Sequence, residues 1–118
     1  MTLRTGHDKP VYVRIREVIA DAILSGRFSD GGPLPSVRAL AAEEGANPLT
    51  VAKAYQGFQD EGLVVVRRGV GMFVANGARQ KLRDAERSRF IKQEWPEIRE
   101  RMERLGLDPV DLLKAEKA

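Results

Sequence analysis

The sequence predicts a mainly α-helical chain with one small β-hairpin wing, followed by a short helical tail. Three observations predict this. Apolar residues recur at helical spacing in three segments before Gly62, and the second and third are separated by only two or three residues around Gly45. A β-branched run, Leu63-Val64-Val65-Val66-Arg67, then meets Met72-Phe73-Val74 across the glycine-containing turn Arg68-Gly69-Val70-Gly71. Beyond Asn76-Gly77, Ile91, Trp95, Ile98, Met102 and Leu105 recur at steps of 4, 3, 4 and 3, which is a heptad seam.

The elements follow in order. Residues 10–25 predict the first helix. Asp8 or Lys9 stands just before it, and Pro10 takes a place where a first turn tolerates proline. Val11, Ile15, Val18, Ile19, Ala22 and Ile23 share one face, and Gly26 stops the helix. Two glycines and two prolines in Gly31-Gly32-Pro33-Leu34-Pro35 exclude helix and leave room for a very short strand at Leu34. Ser36 caps a second helix over about 36–44, with Val37, Leu40 and Ala41 inward, and Gly45 ends it. Asn47 caps a third, with Pro48 at its first position, running to about Glu61. Val51, Ala54, Tyr55 and Phe58 form its apolar face. Gly57 weakens its interior by roughly 1 kcal/mol relative to alanine. Gly62 is its stop. The hairpin comes next, so the order is that of a winged helix-turn-helix over residues 1–77. From Ala78 to about Leu105 the pattern is helical again. Pro96 either kinks that helix or splits it, opening the second half. Gly106 closes it, and Asp108-Pro109 starts a last short helix through Leu112 and Leu113. Residues 78–118 form the helical tail.

Composition bounds the function. A chain of 118 residues with 42% hydrophobic and 31% charged residues is one soluble domain with a short appendage. It has no cysteine and a single histidine, His7, which excludes disulfides, thiolate metal sites, cysteine nucleophiles and histidine-based triads. The only adjacent acid pairs are Glu43-Glu44 and Asp60-Glu61. Neighbours on a helix point about 100° apart, so neither pair is a two-carboxylate site. Gly69-Val70-Gly71 lacks the downstream helix of a phosphate loop. No catalytic residue, metal or cofactor is therefore assigned. No apolar run is long enough to span a membrane and no signal core opens the chain, so a cytoplasmic protein is expected. The net charge of +3 permits nucleic-acid binding without demanding it. Within residues 79–92, Arg79, Lys81, Arg83, Arg87, Arg89 and Lys92 face only Asp84 and Glu86. That cluster is either a solvated helix face or a contact to DNA backbone.

Several motifs, in this order, carry a family resemblance: Pro10-Val11-Tyr12, Leu34-Pro35-Ser36-Val37-Arg38-Ala39-Leu40-Ala41, Asn47-Pro48-Leu49-Thr50-Val51-Ala52-Lys53-Ala54-Tyr55, Glu61-Gly62-Leu63 and Arg67-Arg68-Gly69-Val70-Gly71-Met72-Phe73-Val74. They resemble the DNA-binding domain of GntR-type transcription regulators. The Asn-Pro opening of the third helix and the short C-terminal part are similar to the YtrA-type branch. Two positions depart from the pattern. Gly32-Pro33 stands where the family loop usually carries an aspartate, and Leu49 stands where a polar residue is common, so an operator sequence does not carry over. The resemblance implies a regulator of double-stranded DNA, repression rather than activation, and transporter genes among the targets; the heptad seam of the tail adds the expectation of a homodimer on a palindromic operator. The resemblance also implies that Arg38 reaches the DNA.

The residues support this independently. Recognition helices present their N-terminal residues to base edges in the major groove. Here those are Asn47, Pro48, Leu49 and Thr50, with Lys53 one turn on. Thr50 can donate to a phosphate or a base. Leu49 can touch a thymine methyl or can be packed inward. Asn47 either contacts DNA or simply caps its helix. Ser36 and Arg38 open the second helix, where Arg38 either reaches DNA or pairs with Glu43. At the wing, Arg67, Arg68 and Gly69 can approach the minor groove or backbone. Alternation along a strand places Arg68 at the tip and Arg67 along the strand. Tyr12 and Tyr55 read as core edges rather than stacking platforms. The tail is too short to bury a core of its own. Its seam, with Trp95 as the largest anchor, packs on a second copy of the chain or back on the winged domain. An effector, if one exists, would bind at the dimer interface or between tail and winged domain. The rival from another class is a winged-helix protein-interaction module that does not bind DNA.

Overall fold

A computed structural model describes residues 10–117; His7, Asp8 and Lys9 lie outside the described residues. The order is α1 (Val11–Ser25), α2 (Val37–Glu44), α3 (Pro48–Asp60), β1 (Val64–Arg67), β2 (Gly71–Val74), α4 (Ala78–Arg89), a π-helical turn (Phe90–Glu94), α5 (Trp95–Arg104) and α6 (Pro109–Lys117). The chain divides into two compact units after Arg83, inside α4.

In the first unit α1, α2 and α3 enclose a core closed by the hairpin. Ile15, Ile19 and Ile23 enter from α1, Leu40 and Ala41 from α2, and Val51, Ala54, Tyr55 and Phe58 from α3. Periodicity puts Val11 on this face too, but it is 47% exposed, because the core begins one turn later at Ile15. Strands β1 and β2 pair antiparallel, with Val65 opposite Phe73 and Arg67 opposite Gly71. The loop before α2 adds to this sheet. Its bridge is Pro33 to Phe73 rather than Leu34; proline has no N–H to give, and the adjacent Leu34 N–H donates to the Met72 carbonyl at 2.9 Å.

Glycine ends α1, where Gly26 adopts φ 88°, and α2, where Gly45 adopts φ 63°, as left-handed caps require. The start of α4 belongs to the first unit: Ala78 and Leu82 are buried in its core. The compact units meet at 83/84, within α4, six residues beyond the end of the hairpin at Asn76-Gly77 where the sequence suggests a boundary. Asp30, in the loop before α2, accepts from the backbone N–H groups of Gly77 at 3.0 Å and Arg79 at 3.1 Å. It caps α4 from a distance of many residues in sequence.

The second unit has no buried residue among 84–116. Pro96 neither splits nor stops its helix. Helical structure runs from Ala78 to Arg104 through the π-turn, where the Trp95 N–H reaches the Phe90 carbonyl. A proline lacks the N–H for an α-helical bond and crowds the carbonyl four residues back. A single wider turn just before it accommodates both effects. Trp95 and Met102 are half-buried within this unit, while Ile91, Ile98 and Leu105 are exposed. Phe90, Leu107, Val110, Leu112 and Leu113 add to that exposed apolar surface. Among the described residues no helix is long and apolar enough to cross a membrane.

Candidate nucleic-acid interface

Two capped helix starts define the helix-turn-helix. Ser36 Oγ accepts from the Ala39 N–H at 3.1 Å, which leaves its own hydroxyl proton free to donate. Asn47 Oδ1 accepts from the Leu49 N–H at 2.8 Å. The cap formed by Asn47 therefore uses its oxygen, and its Nδ2 amide stays available. Neither α2 nor α3 carries an acid in its first turn, so both helix starts favour an anion such as phosphate.

The angle between the two helices is tied from inside. Tyr55 is fully buried in α3 and donates its hydroxyl to the Pro35 carbonyl at 2.8 Å, just before the Ser36 cap. Burial, and secondarily the Glu43 carboxylate, push its pKa from 10.0 up to about 12. The phenol is thus a neutral donor at any ordinary pH. The sequence places Tyr55 at the core edge and is silent on this bond, because nothing local marks a carbonyl twenty positions away.

On α3 the inward stripe is Val51, Ala54, Tyr55 and Phe58. Leu49 and Lys53, four apart, share the opposite face. Leu49 is exposed, not packed inward, Pro48 is exposed, and Thr50 is half-buried. Lys53 lies over the Tyr12 ring, 5.3 Å from its centroid, so half-buried Tyr12 is the platform that aims this lysine. Arg38 is exposed and forms no ion pair among the described residues; Glu43 is instead bound by Arg27 at 3.0 Å.

At the wing, Arg67 lies over Phe73, 4.4 Å from the ring centroid. Its cross-strand neighbour is Gly71, which has no side chain, so the guanidinium reaches diagonally onto Phe73. Arg67 therefore runs along the strand, and Arg68 stands at the exposed tip. Val70 N–H closes the turn on the Arg67 carbonyl at 2.9 Å, and Gly69 adopts φ 76°. That conformation suits glycine at the third position of such a turn.

The cations of the winged unit fall into two sets. Arg14 reaches Glu44 (3.5 Å), Arg16 reaches Glu61 (2.8 Å) and Arg27 reaches Glu43. Arg79 donates to the Leu24 carbonyl and Lys81 to the Glu61 carbonyl. Arg38, Lys53, Arg67 and Arg68, together with Arg83, have no carboxylate or carbonyl partner among the described residues. In the basic cluster of residues 79–92, Arg79 and Lys81 are thus committed to the fold, and Arg89 to Glu86 and Glu94.

Residues 11–74 match the model of the gntR family of bacterial regulatory proteins. The HTH-type transcriptional repressor YtrA of Bacillus subtilis (strain 168) is 34% identical over 89 residues, which is 75% of this chain and 68% of that protein. This chain belongs to the gntR family. Within the gntR family its resemblance is to the YtrA-like branch. A GntR family transcriptional regulator from Listeria monocytogenes superposes with a TM-score of 0.75 at 26% identity, over 93% of this chain and 95% of that one. The DNA-binding domain of AraR in complex with operator ORX1 matches with a TM-score of 0.55 at 25% identity, over 64% of this chain and 90% of that one. The gntR-family chain is accordingly a winged-helix DNA-binding transcription regulator and not an enzyme.

Proposed function

We propose that this regulator represses transcription as a homodimer, by covering promoter DNA at a two-fold repeated operator. One observation carries the placement of the interface. Among the described residues, Arg38 on α2, Lys53 on α3 and Arg67 and Arg68 on the wing have no carboxylate partner, while five other cations of the same unit are paired or bonded to carbonyls. Ser36, Arg38, Lys53 and Arg68 serve phosphates, and Asn47, Pro48, Leu49 and Thr50 face the base edges. Gly69 lets the wing backbone approach DNA. The repressor role follows the name of the YtrA relative. The dimer is formed through Ile91, Trp95, Ile98, Met102 and Leu105, whose unit buries nothing by itself. A two-fold protein reads a two-fold site.

The test is selection of bound duplexes from a random library at stated salt, followed by titration of variants. Arg38→Ala and Lys53→Ala, both at phosphates, are each expected to weaken all sequences alike and to flatten the salt slope by about one unit. Unchanged binding by both variants would refute the assignment of this face.

A further inference from the structure

Leu49 is 78% exposed, the most exposed of the large apolar side chains among the described residues. Single exposed leucines are common on protein surfaces; the place of this one sets it apart. It stands in the first turn of α3, with its backbone N–H held by Asn47 Oδ1. It lies about 200° around the helix from Val51 and on the same face as Lys53, which lies over the Tyr12 ring and has no carboxylate partner among the described residues. A leucine here offers neither donor nor acceptor. Among the four standard base pairs, the major groove presents a single apolar feature, the C5-methyl group of thymine.

We propose that Leu49 selects a thymine. Each operator half-site then carries a T·A pair whose methyl group packs on the Leu49 side chain, and the methyl, not the hydrogen-bonding edge, identifies the base. This rests on the DNA-binding reading above and names the base chemistry that α3 selects. It has a consequence for modified DNA: 5-methylcytosine places the same methyl at the same point of the groove, so it is accepted there in preference to cytosine.

The experiment uses the full chain and a duplex recovered from the random library, titrated by fluorescence anisotropy at fixed salt. Each thymine is replaced singly by deoxyuridine, which removes only the methyl. One thymine per half-site is expected to weaken binding about fourfold on replacement, the size expected for burying one methyl group. Leu49→Ala should bind the thymine and deoxyuridine duplexes equally, with an unchanged circular-dichroism melt. At that position 5-methylcytosine should bind better than cytosine in wild type and no better in Leu49→Ala. A scan with no methyl-dependent position, or a dependence that survives in Leu49→Ala, would overturn the proposal while leaving DNA binding intact. Recovery of no duplex at all would overturn the DNA-binding reading, and this proposal with it.

Discussion

Replacing Asp30 by alanine removes the acceptor for two backbone N–H groups, those of Gly77 and Arg79, at 3.0 and 3.1 Å. Both belong to the entry into α4, whose Ala78 and Leu82 are core residues. Loss of such a cap costs about 1 kcal/mol, within a range of roughly 0.5–2. The carboxylate also faces the positive end of the helix, worth roughly 0.3–1 kcal/mol in addition. Asp30→Ala is therefore expected to destabilise the winged unit by about 1–2 kcal/mol. For a domain of this size that lowers Tm by roughly 4–8 °C per kcal/mol. The two N–H groups bind different oxygens, Oδ2 and Oδ1, so Asp30→Asn keeps one bond, turns its NH2 toward the other donor and loses the charge; it should lose nearly as much as alanine. Urea melts followed by far-UV circular dichroism measure both, with an unchanged slope showing that the unfolded state is not altered. High salt should narrow the gap between aspartate and asparagine, because the helix-end interaction is screened. An Asp30→Ala midpoint equal to wild type would refute the reasoning. It would mean that the loop is held wholly by its backbone pairing, Gly31 N–H to the Val74 carbonyl and Val74 N–H to the Gly32 carbonyl.

Three further outcomes are expected. Trp95→Ala or Ile98→Glu should shift sedimentation from dimer to monomer while the winged unit melts as before; wild type sedimenting only as monomer at about tens of micromolar would refute the tail interface. Tyr55→Phe leaves the Pro35 carbonyl without its donor, and an unmade bond of this kind costs about 1–3 kcal/mol. In wild type the folded phenol holds its proton to about pH 12 while the unfolded one releases it near 10. The Tyr55 contribution is thus complete below pH 10 and falls away as pH rises from 10 to 12; the difference between wild type and Tyr55→Phe should shrink across that window, and a constant difference would argue against it. At the wing, Arg68→Ala should reduce operator affinity more than Arg67→Ala, and Gly69→Val should reduce it further and also lower Tm, since a Cβ at 69 meets open space but a β-branched residue at positive φ costs roughly 1–3 kcal/mol. The reverse order of the two arginines would reverse the assignment of the tip.

Local features are the ones a sequence displays. Caps, glycine stops and apolar spacing are written within one turn of the residue they act on, so Ser36, Gly45, Asn47 and the stripe Val51-Ala54-Tyr55-Phe58 are legible in the sequence itself. The hairpin is legible too, and its register even places Arg67 beside Phe73 once Gly71 is seen to face Arg67. Contacts between distant segments are not. Asp30 reads as one more loop residue until α4 starts beside it, and the hydroxyl of Tyr55 has no sequence signal for Pro35. Pro96 shows a third limit. The sequence says that an α-helical bond must fail there, and it does not say whether the helix bends, breaks or widens by one π-turn. Exposure of Val11 and burial of Ala78 and Leu82 have the same origin: periodicity assigns a face, and only packing decides how far along the element the core extends.

On α3 the face that carries stability and the face proposed for recognition are distinct. The inward stripe of α3 is 0–1% exposed and is fixed by α1, α2 and the hairpin. The outward stripe holds Leu49, which is exposed, and Lys53, which touches the core only through the ring of Tyr12 at its edge. The Tyr55 bond to Pro35 sets where Ser36 and Arg38 stand relative to α3, and it does so from inside the protein, independently of DNA. Arg16 supports the same helix from α1. It stacks 4.2 Å from the Phe58 ring centroid and pairs with Glu61, and it occupies the space above Gly57, where an added Cβ would lie 2.7 Å from Nη1. The glycine that weakens α3 by its propensity is therefore the residue that admits the arginine bracing it. Substitution at 49 should leave the melt unchanged, and at 53 should cost no more than the exposed cation–π contact to Tyr12, roughly 0.5–1 kcal/mol, so the proposed reading face can vary over a nearly constant scaffold.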